Sequence, residues 1–287
     1  MKFAVIGGDR RSALLCLLLT GDGHRVHSYA LEKAELPAEI PKAHCLQGCV
    51  YGADCVILPV PAENGRMVNT PLSDERVSIE ELISALWPGQ VLCGGKFCDD
   101  TCIMAGAEGL RLEDIMYRQD FTVGNAAITA EGAIALLMQS TERALLESRV
   151  LICGWGRIAK LLAIRLKALG AQVCIAARRA GSRAMAEQLG CVSCDMKSLP
   201  LMIGDFDFVI NTVPARILGE ETLCCAGEGT LLLELASAPG GFDRKLAENI
   251  GLRVLAAPGL PGRYAPLSAA ELIKKSVYNI INEEDGR

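Results

Sequence analysis

The sequence predicts an α/β protein made of two doubly wound parallel-sheet domains, and three observations carry that reading. Short continuous apolar runs recur along the chain, as strands buried on both faces require. Stretches with apolar residues at helical spacing alternate with those runs. A strand followed by a glycine turn and a helix begins twice, at residues 2–8 and 149–156. The 287 residues suit one large or two ordinary domains, and a hydrophobic content of 51% is ample for buried cores.

The second of these starts is the stronger. An apolar run over Val150, Leu151, Ile152 and Cys153 breaks at Gly154-Trp155-Gly156-Arg157-Ile158-Ala159. Apolar residues at helical spacing follow, at Ile158, Leu161, Leu162, Ile164, Leu166 and Leu169, until Gly170 stops the helix. Residues 172–176 read as the next buried strand. This is one βαβ unit with GxGxxA in its turn. Gly154 permits the tight turn, Gly156 lets a pyrophosphate approach the backbone, and Ala159 keeps the helix close to the sheet. A turn without a ligand is the bland alternative, but the flanking strand and helix favour a Rossmann dinucleotide-binding domain. Cofactor contacts are expected at Gly154, Trp155, Gly156, Arg157 and Ile158.

The end of the second strand selects the dinucleotide. An NAD site places Asp or Glu there to hold the ribose 2′-hydroxyl. Here Ala177, Arg178 and Arg179 follow Ala176, with Ser182 and Arg183 just beyond. A guanidinium binds a 2′-phosphate that a carboxylate repels, so the expected cofactor is NADP(H). The alternative is a solvated basic turn.

A net charge of −5 and a pI near 5.4 argue against a nucleic-acid surface. Asp9, Arg10 and Arg11 interrupt the N-terminal apolar residues, so no signal peptide is expected. No uncharged apolar segment of membrane-spanning length is read either, and a cytoplasmic protein is expected. The 13 cysteines lie mostly inside strand and helix patterns, where thiols act as small hydrophobes. Cys191 and Cys194 form a single CxxC with no second pair and no nearby His, so no metal site is expected.

The first domain is read as residues 1–124. A strand at 2–7 leads through Gly8-Asp9-Arg10-Arg11 into a helix, and a second strand starts at His24. Lacking a proper GxGxxG, this domain should hold no dinucleotide of its own. Gly7, Gly8 and Arg10 sit where such sheets place ligands, and could meet an anionic substrate or simply form a capped, solvated helix start. Further strands are read at 54–60, 90–93 and 110–114, with helices at 79–86 and 99–107. Lys96, after Gly94-Gly95, could hold a carboxylate or shuttle a proton, or be a solvated lysine.

A long interdomain helix is read over 125–147, with Thr129 as its N-cap and Glu131 near its start, where the dipole favours anions. The Rossmann domain then spans 148–265. Its strand at 206–211 ends in Asn211-Thr212-Val213-Pro214, which should border the nicotinamide ribose. The strand at 230–235 leads to Ser237, Gly240 and Gly241, facing the same site. A rigid connector at 257–266 carries Arg263, and a C-terminal helix, 266–284, returns to the first domain. The tail from 282 should fray.

No His occurs after His44. That excludes a D-2-hydroxy acid dehydrogenase mechanism, which needs a late catalytic His, and a Ser-His-Asp hydrolase. The segments IGGDRR, ILPVPAENG, NAAITAEGAI, CGWGRIA with AARR, INTVP, LELASAPGG and APGLPGRYAP occur in this order along nearly the whole chain. Together they closely resemble the dipicolinate synthase A subunit family. Arg263 departs from the family pattern, which has an apolar residue after PGLPG.

The resemblance implies a cytoplasmic oxidoreductase of sporulating bacteria. It would oxidise dihydrodipicolinate, derived from 4-hydroxy-tetrahydrodipicolinate in a branch of the lysine pathway, to dipicolinate. A flavoprotein-like B subunit would act with it, and a homo-oligomer is compatible. That oxidation removes a hydride and a proton while two carboxylates are held. Arg10, Ser237, Arg263 and the Gly240 and Gly241 amides are the candidate carboxylate contacts, and Glu131 and Asp9 the candidate proton acceptors. Two alternatives stand beside it: a non-catalytic NADP-binding partner that scaffolds or gates the B subunit, and a related reductase of the lysine or shikimate type.

Overall fold

The computed structural model describes the backbone of residues 1–285 and the side chains of residues 1–283. The chain divides into two compact units, Met1–Asn125 with Ala265–Arg287, and Ala126–Tyr264.

In the first unit, strands β1 (Lys2–Ile6), β2 (Arg25–Tyr29), β3 (Cys55–Ile57), β6 (Val91–Gly94) and β7 (Arg111–Asp114) form a parallel sheet in the order β2-β1-β3-β6-β7. A small antiparallel hairpin, β4 (Glu63–Asn64) and β5 (Met67–Val68), follows β3. Helices α1 (Arg10–Gly21), α2 (Leu46–Val50), α3 (Ile79–Ser84) and α4 (Asp99–Ala107) connect the strands. β1 is apolar throughout because both its faces are covered. Phe3 and Val5 pack with Leu15 and Leu19 of α1, while Ala4 and Ile6 pack with Leu46 and Leu82.

In the second unit, β8 (Arg149–Cys153), β9 (Gln172–Ala176), β10 (Val192–Cys194), β11 (Phe208–Asn211), β12 (Leu231–Glu234) and β13 (Arg253–Ala256) pair in parallel as β10-β9-β8-β11-β12-β13. The strand order reverses between β8 and β11, the position where open sheets of this kind bind ligands. Helix α6 (Arg157–Ala168) lays Leu162 and Leu166 against Val150 and Ile152. Each such leucine contributes about 1.5–3 kcal/mol through burial. On the opposite face, Leu151 and Cys153 meet Leu199 and Phe242. The remaining helices are α7 (Ala180–Gln188), α8 (Leu199–Met202), α9 (Glu220–Cys224), α10 (Arg244–Asn249) and α11 (Leu260–Tyr264).

The long helix differs from its predicted span of 125–147. Helix α5 runs over Gln119–Gln139, so Asn125, Thr129 and Glu131 lie inside it and not at an exposed N-terminus. Thr129 is buried within the helix, two turns and more from its first residue. The helix starts early because Phe121 is buried in the first core and Asp120 sits favourably in the first turn. It stops early because the Thr141 hydroxyl accepts from the Arg143 amide, offering the backbone a turn in place of helix. Gly124 and Gly132 let it approach Leu272 and, further on, Leu260 and Tyr264.

α5 is also long and apolar enough, by composition alone, to cross a membrane, with a mean hydropathy of 1.4. It carries Asp120 and Glu131, so the expectation that no uncharged apolar segment reaches that length stands. Here Ala130, Ala133 and Leu137 are spent on the second unit's own core. The predicted connector is partly helical, as α11.

The final helix, α12 (Pro266–Asp285), returns to the first unit and places Val277 and Ile280 in the core beside α1. Lys274 and Tyr278 both reach the Asp22 carboxylate at 2.7 Å. The tail expected to fray is helical as far as Asp285, and residues 286 and 287 lie outside the described residues. The cysteines are free thiols. Burial pushes those of Cys16 and Cys153 up, which keeps them protonated.

Candidate active site

The turn from β8 into α6 has the geometry its glycines foretell. Gly154 has φ +106, and a Cβ there would lie 2.5 Å from Thr212 Oγ1, so only glycine fits. Gly156 is the N-cap of α6 and gives it no side-chain cap. A Cβ on Gly156 would meet nothing within 4 Å. Amides at an uncapped helix start beside open space suit the oxygens of a pyrophosphate. The half-buried Trp155 ring lies under the Lys160 ammonium, 5.9 Å from the centroid, and its indole Nε1 is buried without a partner.

At the end of β9, Ala177 is buried while Arg178 and Arg179 are exposed. Neither guanidinium has an ion-pair partner among the described residues. Arg183, one turn into α7, donates to the carbonyls of Ala177 and Arg178 at 2.8 and 3.0 Å and to Asp195 at 2.8 Å. It therefore shapes the loop that presents the other two arginines. Ser182 stands in the first turn of α7.

The loops after β11 and β12 are joined by polar groups that sequence reasoning offered to ligands. Asn211 is fully buried and donates to Val213 O at 2.9 Å and Glu234 Oε1 at 2.6 Å, while its Oδ1 accepts from Val213 N at 3.1 Å. The Thr212 hydroxyl donates to Cys153 O at 2.7 Å. The Gly241 amide donates to Glu234 Oε2 at 2.7 Å, and the Gly240 amide to Ser237 O at 3.0 Å. The side chains of Asn211 and Thr212 and both glycine amides are thus occupied within the protein. This corrects the reading of Gly240 and Gly241 as free carboxylate donors. Val213 is half-buried at the same edge, and Pro214 and Ser237 are exposed there. Arg263 is exposed on α11, its guanidinium 5.8 Å from the Tyr264 ring centroid. Glu131, exposed on α5, pairs with Arg165 at 3.1 Å.

In the first unit, Asp9 caps α1 and binds the Arg11 amide at 2.9 Å. It also forms a bidentate ion pair with the Arg11 guanidinium, which reaches Val60 O at 2.6 Å. Burial raises the Asp9 pKa, but the hydrogen bonds and charge of Arg11 outweigh it, and the net shift is downward. Arg10 is exposed and unpaired among the described residues.

Residues 2–116 match the model of the N-terminal domain of the dipicolinate synthase A subunit. Residues 116–235 match the NAD-binding domain of D-isomer specific 2-hydroxyacid dehydrogenases. The chain is 31% identical over 301 residues to the dipicolinate synthase A subunit of Bacillus subtilis (strain 168), covering 100% of this chain and 99% of that one. The chain belongs to the dipicolinate synthase A subunit family. Among solved structures, the A chain of dipicolinate synthase from Bacillus subtilis has 30% identity and a TM-score of 0.85, covering 100% of this chain and 97% of that one. The dipicolinate synthase A subunit from Bacillus halodurans has 26% identity and a TM-score of 0.88, with 97% of each chain covered. The second unit of this dipicolinate synthase A-family chain is a nicotinamide-dinucleotide-binding domain of dehydrogenase type.

One residue that holds the site of this family member was missed from sequence: Glu234, which bridges Asn211, Ala236 and Gly241. Arg183 was read beside the arginine pair, but its role is to fix their loop. The signal for Glu234 was a lone carboxylate ending an otherwise apolar strand next to a Gly-Gly loop. Such a group must find donors close by. Cys191 precedes β10 and Cys194 ends it, with Cys194 Sγ 4.0 Å from Cys174 Sγ. No cluster of three or more metal-ligating side chains forms among the described residues.

Proposed function

We propose that this chain is an NADP-dependent dehydrogenase that oxidises dihydrodipicolinate, formed from 4-hydroxy-tetrahydrodipicolinate, to dipicolinate during sporulation. On this reading it works in the cytoplasm with a flavoprotein-like B subunit. One observation carries the reading. A full-length similarity to the dipicolinate synthase A subunit coincides with an open, uncapped start of α6 and two unpaired arginines at the end of β9.

Gly154, Trp155, Gly156, Arg157 and Ile158 would hold the pyrophosphate, and Arg178, Arg179 and Ser182 the 2′-phosphate. Bound there, the nicotinamide would supply hydride acceptance. The chain's own tasks are to hold two carboxylates and accept one proton. Arg10 and Arg263 are exposed cations without ion-pair partners among the described residues, and Ser237 offers an exposed hydroxyl. Glu131 is the preferred proton acceptor, because its pair with Arg165 is exposed and opens at little cost. Asp9, held ionised by Arg11, is the weaker base.

The purified chain, given dihydrodipicolinate and NADP+, should raise the NADPH absorbance, and no rise would end this reading. Replacing Glu131→Gln should cut turnover by roughly 10²-fold or more while NADPH binding stays intact. Unchanged turnover would remove Glu131 from the mechanism. The engagement of both candidate acceptors by arginines favours one rival, a cofactor-binding partner that gates the B subunit. NADPH formation only once the B subunit is added would select it.

A further inference from the structure

The loop after β6 carries a feature that the proposed chemistry has not used. Gly94 and Gly95 are there for packing. A Cβ on Gly94 would lie 2.6 Å from the Phe97 ring, and one on Gly95 would lie 2.9 Å from Val60. The next residue, Lys96, has φ +64, a left-handed backbone that a lysine adopts only when its surroundings impose it. Asp114 imposes it. Its carboxylate accepts from the Lys96 and Phe97 amides at 3.0 Å each and from the Met116 amide at 2.8 Å.

Lys96 thereby lines a cavity of about 510 Å3 with Pro61, Glu63, Asn64, Asn69 and Phe97. The cavity lies wholly within the first unit, beyond the C-terminal ends of β3 and β6. Its volume is of the order that small-molecule sites use. The Lys96 ammonium and the Asn64 amide have no partner among the described residues. The one carboxylate in the wall, Glu63, already accepts from the Cys98 amide and, at 3.0 Å, from the Thr101 hydroxyl. The cavity is left with one unpaired cation, the Asn64 amide, and the apolar surfaces of Pro61 and Phe97 on which a flat ring can rest, while the Asn69 amide donates to Pro61 O at 3.3 Å.

We infer that this cavity binds a small planar dicarboxylate, with Lys96 contacting one carboxylate and Asp114 acting as the positioning residue that fixes Lys96. The inference deepens the proposed function and rests on its reading of the substrate as a ring diacid.

The test titrates dipicolinate, and isophthalate as a ring diacid without the pyridine nitrogen, into the full-length chain by calorimetry. Lys96→Gly removes the cation and relieves the backbone. It should weaken both diacids by about thirtyfold while the melting temperature holds or rises. Lys96→Arg should retain most of the affinity. Asp114→Asn should weaken binding less than Lys96→Gly. Wild-type affinity in Lys96→Gly, or no diacid binding by the wild-type chain, overturns the inference. Turnover of dihydrodipicolinate with NADP+, measured separately on the wild-type chain, tells the two readings apart. Turnover with undiminished binding in Lys96→Gly sinks the site alone, whereas lost binding in that variant with no wild-type turnover leaves the site and removes the reaction.

Discussion

Two strand–turn–helix junctions in this chain start from similar sequence and end differently. After β1 the turn is Gly7-Gly8-Asp9, and after β8 it is Gly154-Trp155-Gly156. Both open on a glycine of positive φ, +65 and +106. At the first junction the space beside the glycines is filled by the protein itself. Gly8 N donates to Asn69 O at 2.8 Å, and a Cβ on Gly7 would lie 2.9 Å from that oxygen. A Cβ on Gly8 would lie 2.0 Å from Ser12 Oγ. The helix start there has its own anion, the Asp9 carboxylate. At the second junction Gly156 faces open space and α6 has no side-chain cap. A glycine-rich turn therefore announces a close approach without saying what approaches. In the first unit it is a neighbouring loop, and in the second the place is left for a ligand.

The largest expected effects are reciprocal. Gly8→Ala places a Cβ against Ser12 at φ +99 and should destabilise the protein by about 2–4 kcal/mol in urea unfolding. NADPH affinity of the folded fraction should not change. Gly156→Val should do the reverse. With φ −79 and no neighbour, it should cost about 1 kcal/mol or less of stability, yet weaken NADPH binding by about a hundredfold, near 2.7 kcal/mol. A Gly8→Ala variant with wild-type stability, or a Gly156→Val variant with wild-type affinity, would erase the distinction between the two turns.

The two turns also mark how far the sequence could be read. The parallel sheets were legible because β1, β8 and β9 are short apolar runs next to helices of clear period. The GxGxxA turn was legible because its partners are adjacent in the chain. The fate of Gly7 and Gly8 was not, since it depends on Asn69 and Thr70, far away in sequence. The same limit applies to Asn211, Gly240 and Gly241. Their position at one sheet edge was readable, but not that Glu234 joins Asn211 to Gly241 or that Ser237 takes the Gly240 amide. For α5 the helical period was clear, but its ends were not. They are set by Phe121 burial and by the Thr141 turn, neither of which alters the apolar pattern.

A smaller effect sharpens the comparison at the second strand of each unit. β2 runs into Ala30 and Leu31, both buried, whereas β9 runs into the exposed Arg178 and Arg179. Only the latter can meet a 2′-phosphate. Replacing both arginines by serine should weaken NADPH by roughly tenfold for each charge-assisted hydrogen bond removed, and leave NADH unchanged. Fluorescence titration of the two cofactors measures it, and equal losses for both would mean that the arginines do not read the phosphate.

The smallest effect concerns charge at the start of α1. The folded-state pKa of Asp9 is depressed, because the hydrogen bonds and charge of Arg11 and the capped amides outweigh the upward push of burial. Its stabilising contribution is therefore fully present above the unfolded pKa, about 3.9, and is lost as pH falls through the folded value. Asp9→Asn keeps the cap and removes the charge. At pH 7 this should cost about 1 kcal/mol or less, since the Asp9 side chain is 37% exposed and its ion pair is partly screened. The gap should begin to close below about pH 4 and vanish only once pH has fallen through the folded value, where the wild type loses the same charge. The α6 start has no titratable cap, so Gly156→Val should leave the acid limb unchanged. If Asp9→Asn also unfolds along the wild-type acid limb, the carboxylate is not what satisfies the start of α1. The closed turn would then be closed by packing alone.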